Sequence, residues 1–239
     1  NPSQHLTATE WNEHLLNKKE GTALLLDVRN VYESRVGRFM VPDVPTLLTN
    51  TRKYSDLPHL LATNPHIRDK QEIYMYCTGG VRCERVSMLV QSLYPEKKIY
   101  QLQGGIQTYL ALQKDYNDES CNLFQGKNFV FDPRRTDPMH GPKPVIGKCL
   151  VCSTPHDDYD NGHAPSEEKE ARCNTCRMLI LVCNSCRCKY ACWGEAATDQ
   201  RPSLFCGLDR CNHEGAAPMP ELVTIPSSNS CPSSTIMPE

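Results

Sequence analysis

Cysteine is distributed so unevenly that it divides this chain before any other feature does. Of 14 cysteines in 239 residues, only Cys77, Cys83 and Cys121 fall in the first 148, whereas Cys149 to Cys211 hold ten, mostly as C-x-x-C pairs. Thiols two residues apart suit metal knuckles better than a disulfide framework, and they favour a reducing compartment, cytosol or nucleus. The segment 147–215 has few large apolar residues, so burial alone cannot offset the entropy of ordering it, and it is expected to fold around metal. The main hydrophobic core must therefore come from residues 1–115.

The thiols read as four pairs, Cys149/Cys152, Cys173/Cys176, Cys183/Cys186 and Cys206/Cys211, with Cys188, Cys192 and His213 as spares. Four pairs suffice for two closed, tetrahedral, structural Zn2+ sites, and no organic cofactor is expected. The short stretch RMLILV between the second and third pairs resembles cross-brace spacing, which joins the first pair to the third and the second to the fourth. Sequential pairing and iron–sulfur ligation are the alternatives.

Upstream, ALLLDVR (23–29), EIYMYC (72–77) and KIYQL (98–102) are short apolar runs of the kind found in strands buried on both faces of a parallel sheet. Helical patterns alternate with them. TATEWNEHLLNKKE (7–20) offers Thr7 or Thr9 as N-cap, sets Trp11, Leu15 and Leu16 on one face and has Gly21 just past its end; others span 52–63, 81–94 and 106–114. The alternation implies βαβ crossovers in an α/β layer fold. The expected organisation is a folded domain over 1–115, a connector over 116–146 in which NFVF (128–131) forms an outer strand or packs as a linker, the metal module over 147–215, and a disordered Pro/Ser-rich tail over 216–239. A net charge of −2 gives no global footprint for nucleic acid, and no apolar run reaches the roughly 20 residues needed to span a bilayer, so no membrane partner is expected.

Chemistry concentrates at Cys77-Thr78-Gly79-Gly80-Val81-Arg82. A buried strand delivers a cysteine, glycines let backbone amides turn inward, and a helix begins near Val81, so an anionic sulfur is stabilised by amides and by the positive end of the helix. That field lowers the thiol pKa and makes Cys77 a nucleophile, while Arg82 is placed to anchor an anionic donor such as thiosulfate. Phosphatase loops use C-x5-R; here the spacing is C-x4-R, and the tighter ring suits one sulfur better than a phosphoryl group. Cys83, one helical step on, reads as a buried helix residue or as a resolving thiol.

LLLDVRNVYES (24–34), CTGGVRCE (77–84) and YQLQGGIQTY (100–109) together resemble the rhodanese-like domain, over about residues 5–115. GKNFVFDPR (126–134) followed by a cysteine-rich tail resembles the subgroup of tRNA wobble-uridine hydroxylases. The resemblance implies a parallel sheet of about five strands flanked by helices, followed by a small zinc module. It also implies a persulfide-forming Cys77, with Asp27 and Arg29 packed beneath the loop and joining strand to helix. The activity expected first is sulfur transfer by double displacement, from a small sulfur donor to a thiol acceptor. The alternatives are a 5-hydroxylation-like modification of a tRNA wobble uridine, with tRNA as partner, and a non-catalytic scaffold. The subgroup's hydroxylases carry a further N-terminal domain, and this sequence is expected to begin after it. Arg134, Arg135, Lys143 and Lys148 read as a solvated linker or a basic strip for RNA. Oligomeric state is left open.

Overall fold

The computed structural model describes residues 3–115, 122–131, 144–159, 170–192, 206 and 221–225. Its frame is a six-stranded sheet made of β1 (Gln4–Leu6), β2 (Ala23–Asp27), β4 (Thr46–Leu48), β5 (Glu72–Tyr76), β6 (Lys98–Leu102) and β8 (Glu221–Val223), in the order β1-β6-β5-β2-β4-β8. The first five in that order run parallel, and β8 pairs antiparallel with β4. The parallel α/β architecture expected from the apolar runs is present. β3 (Gly37–Phe39) and β7 (Phe124–Gly126) form a separate antiparallel pair.

Strand alternation gives the sheet a core on each face. Leu25, Tyr74 and Tyr76 join Trp11, Leu15, Phe39, Tyr109 and Phe124 on one face. On the other, Leu24, Leu26, Ile73 and Met75 pack with Leu61, Val86, Val90 and the two thiols Cys77 and Cys83. The helices that cover the sheet include α1 (Ala8–Leu16), α3 (Leu57–Thr63), α5 (Val81–Leu93) and α6 (Gly105–Asp115); α2 (Val31–Ser34) and α4 (Pro65–Arg68) are single turns. Helix α7 (Asn184–Cys192) belongs to the cysteine-rich segment. No helix among the described residues is long and apolar enough to cross a membrane.

Thr7 caps α1 through a reciprocal box with Glu10, whose carboxylate accepts from the Thr7 backbone N–H at 2.8 Å. The helix stops sooner than its pattern suggested. Asn17 ends it by donating its side-chain amide to the Glu13 carbonyl at 2.8 Å, and Leu16 points outward, 42 % exposed, so only Trp11 and Leu15 of the expected face are buried. The 52–63 pattern divides into a 3-10 turn at Tyr54–Asp56 and α3, because Pro58 suits only the first turn of an α-helix.

One further reading is corrected and another is decided between its alternatives. The segment 216–239, read as disordered, contributes β8: backbone pairing with β4 needs no side-chain periodicity, and Leu222 packs against the second core. Of its two expected forms NFVF takes the second, packing as a linker with no named strand. Phe129 packs with Val36, Tyr159, Leu179 and Leu181, while the strand of the connector is the preceding Phe124–Gly126, paired to Gly37–Phe39. These contacts tie the connector both to the sheet domain and to the cysteine-rich module.

Candidate active site and thiolate clusters

Cys77 follows directly on β5, and Gly80, at φ 86°, turns the chain into α5. That left-handed backbone aims the Gly80 N–H at the Cys77 sulfur, 3.1 Å away. The start of α6 holds the loop from beneath, with Ile106 N–H donating to the Cys77 carbonyl and Gln107 N–H to that of Thr78, both at 3.0 Å. A Cβ on Gly105 would lie 2.6 Å from the Cys77 carbonyl oxygen, so the absence of a side chain there is what allows the two loops to touch.

The Cys77 thiol is drawn down to about 5, first by a hydrogen bond from the Cys83 S–H and, against the opposing effect of burial, by the Cys83 backbone N–H, the Arg82 guanidinium and the Arg82 backbone N–H. Cys83 is displaced the other way, first by its bond to Cys77 and then by burial. The opposite directions favour the negative charge on Cys77, whose sulfur also accepts from the Gly80 N–H. Cys83 is thus placed as a donor to the Cys77 sulfur. Replacing it by valine preserves volume and removes the S–H. Iodoacetamide labelling, followed at the Cys77 peptide, is therefore expected to show a half-maximal rate near pH 5 in the parent, since the thiolate forms as pH rises through that value. In Cys83→Val the midpoint should rise by about one unit or more. An unchanged midpoint would remove this role for Cys83.

Arg82 is more committed than its sequence position suggested. Its Nη1 donates to both oxygens of Glu33 at 2.9 and 2.6 Å, its Nη2 donates to Thr78 Oγ1 at 2.9 Å, and the Phe131 ring covers it at 5.6 Å. Glu33 has no exposed side-chain surface, and burial raises its pKa while Arg82 opposes that rise. A buried carboxylate needs a cation, and the cation it takes is the loop arginine. Sequence reading missed Glu33. Its one local signal is the Asn30-x-x-Glu33 spacing of a capping box, a role it also fills by accepting from Asn30 N–H at 3.3 Å.

Asp27 and Arg29 are fully buried partners. Arg29 donates from Nε and Nη2 to Asp27 at 2.9 and 2.6 Å, and from Nη2 to the Gly37 carbonyl at 2.5 Å, with its guanidinium over the rings of Tyr76 and Phe124. The pair ties the end of β2 to β3 and not to a helix; Glu33 and Arg82 join helix α2 to helix α5. Above the loop, Gly79 and Val81 are exposed while Cys77 is 1 % exposed, so the Cys77 thiol sits on the floor. Beside it opens a cavity of about 320 Å³ lined by Tyr54, Val81, Arg82 and Arg85.

In the cysteine-rich segment the sulfurs of Cys149, Cys152, Cys183 and Cys186 lie within 4.8 Å of one another, as do those of Cys173, Cys176 and Cys206. Each group could hold a metal ion. The first pair meets the third, and the second meets Cys206 of the fourth, which among the described residues is the cross-brace and not the sequential order. Cys188 is exposed on α7 and joins neither cluster; Cys211, His213 and the side chain of Cys192 lie outside the described residues.

The family model described as Rhodanase C-terminal matches residues 125–197, which take in most of the connector and most of the thiolate clusters. The chain is 41 % identical over 194 residues to rhodanese-like domain-containing protein 6 of Arabidopsis thaliana, an alignment covering 79 % of this chain and 31 % of that protein. It is 39 % identical over 192 residues to a tRNA uridine(34) hydroxylase of Protochlamydia amoebophila, covering 79 % of this chain and 56 % of that protein. To the tRNA uridine(34) hydroxylase of Leptospira interrogans it is 33 % identical over 190 residues, covering 80 % and 46 % respectively. The chain thus spans about a third to just over half the length of these relatives. Residues 125–197 match the rhodanese C-terminal family model, and over about four fifths of its length the chain is similar to proteins named rhodanese-like domain-containing protein and tRNA uridine(34) hydroxylase.

Proposed function

We propose that this chain carries the catalytic unit of a tRNA-modifying protein that acts on uridine 34, with Cys77 as its nucleophile. The carrying observation is a buried thiol held as thiolate, with Gly80 N–H 3.1 Å from its sulfur, in a chain whose relatives include proteins named tRNA uridine(34) hydroxylase. A thiolate fixed at a helix N-terminus can add to an electron-poor carbon, and the surrounding donors need no reorganisation when it does. Arg82 supplies positive charge at the loop, Glu33 positions Arg82, and Tyr54 and Arg85 line the cavity through which a substrate group approaches. The cysteine clusters are assigned a structural role, as zinc sites.

A second reading is supported by the C-x4-R loop, whose compact cradle fits a single sulfur anion. Here the Cys77 thiolate attacks the outer sulfur of a thiosulfate-like donor, the S–S bond of the donor breaks with sulfite leaving, and the resulting persulfide gives its outer sulfur to an acceptor thiolate, which regenerates Cys77.

Two measurements separate the readings. Nucleoside analysis of tRNA from cells lacking the full-length protein is expected to show loss of a modified uridine at position 34, and an unchanged nucleoside profile removes the first reading. Incubation of the chain with thiosulfate, followed by intact mass, tests the second: no gain of a sulfur atom that cyanide can remove rejects it.

A further inference from the structure

The thiolate clusters are packed against the same helical turn that carries Glu33. Val31, at the start of α2, lies in one apolar cluster with Cys149, Cys173, Cys186 and Cys206. The next residue, Tyr32, accepts a hydrogen bond on its carbonyl from the Tyr159 hydroxyl at 2.7 Å. Just beyond the turn, Arg35 Nη2 donates to the carbonyl of Cys206 at 2.8 Å. Between these anchors stands Glu33, whose two oxygens hold Arg82. One face of this turn therefore rests on the cysteine module while its buried carboxylate reaches the Cys77 loop.

The donor sets fit zinc. Four thiolates around one tetrahedral ion at ~2.3 Å stand roughly 3.8 Å apart. The sulfurs of Cys152 and Cys183 are 3.6 Å apart, and those of Cys176 and Cys206 are 3.9 Å apart. The Cys183 N–H donates to the Cys149 sulfur at 3.3 Å, the kind of outer bond that steadies a metal-bound thiolate. A segment so poor in large apolar side chains depends on such ions for its order.

We propose that each thiolate cluster holds a zinc ion, and that this metal, by ordering the module against α2, keeps Glu33 in place and through it holds Arg82 at the Cys77 loop. Glu33 is then a positioning residue, and metal binding and Cys77 reactivity are coupled over a route of named contacts: Cys149 and Cys206 to Val31, α2 to Glu33, Glu33 to Arg82. The inference rests on Cys77 being the reactive group and is indifferent to the acceptor.

The full chain as purified is expected to contain two zinc ions by elemental analysis. Removing them with a strong chelator frees Arg82, lowers the thiolate fraction of Cys77, and should slow its alkylation at about pH 5.5 by roughly 3- to 10-fold, followed at the Cys77 peptide because the released ligands also react. In Glu33→Gln the route is already cut, and metal removal should leave the Cys77 rate within about twofold. Circular dichroism monitors the sheet. If chelation melts it, the zinc-loaded Val31→Ala variant, which loosens α2 without touching a ligand, must slow Cys77 in the same direction. Absence of zinc, an equal loss in parent and Glu33→Gln, or an unaltered Val31→Ala overturns the coupling. A Cys77 that resists alkylation even with zinc bound overturns the nucleophile itself, and the coupling with it.

Discussion

Cys77→Ala, supplied as the full-length protein to cells lacking it, is expected to leave uridine 34 of tRNA unmodified, with the rate of modification reduced by at least about 10³-fold, or ~4 kcal/mol of transition-state stabilisation. The expectation follows from the site's economy. Among the described residues the loop brings two thiols together, and Cys83 is the protonated one, so no second nucleophile stands ready. Cys77→Ser should fail nearly as fully, because an alkoxide is not formed by a field that suffices for a thiolate. Neither change should unfold the chain: Cys77 sits among Leu26, Val28, Met75 and Val86, and removing one sulfur from that packing costs about 1 kcal/mol. Alkylation at neutral pH offers an independent check, since the Cys77 peptide is expected to react as a thiolate. Retention of the modified nucleoside with Cys77→Ala would end the assignment of Cys77 as nucleophile.

The largest effect on stability is expected from Asp27→Ala. Both members of the Asp27–Arg29 pair have no side-chain exposure, and Arg29 also reaches the Gly37 carbonyl. Removing the carboxylate strands a guanidinium that cannot shed its charge, at a cost of about 3–5 kcal/mol. Against a total of roughly 5–15 kcal/mol for an ordinary domain, this moves the urea midpoint far toward zero. A double change of Asp27→Leu with Arg29→Met, which removes both charges, should recover most of the loss. A midpoint for Asp27→Ala close to that of the parent would mean that the pair does not hold β2 to β3 as its geometry indicates.

What could be read from the chain in advance was whatever is local. The apolar runs at 23–29, 72–77 and 98–102 became β2, β5 and β6 because a strand covered on both faces must be apolar throughout. The Cys77 loop was legible because its glycines and helix start lie within six residues. What stayed hidden depends on partners far away in sequence. β1, β3, β4 and β8 have three residues each, too few for any period to show, and exist because a neighbouring ladder accepts them. Glu33 drew no notice, since nothing near it announces a bond to Arg82, 49 residues on. The cross-brace of the cysteines was anticipated from spacing, yet its seat on Val31 is a matter of packing that no spacing encodes.

The antiparallel strand Glu221–Val223 has a further consequence for how the molecule behaves in company. It occupies the free hydrogen-bonding side of Thr46–Leu48, a segment whose side chains are almost wholly buried. Shortening the chain ahead of Glu221 would bare that flank as a template for any extended peptide, including the same flank of another copy. The sheet would keep its core and lose its solitude, and the trimmed protein would associate increasingly as its concentration rises.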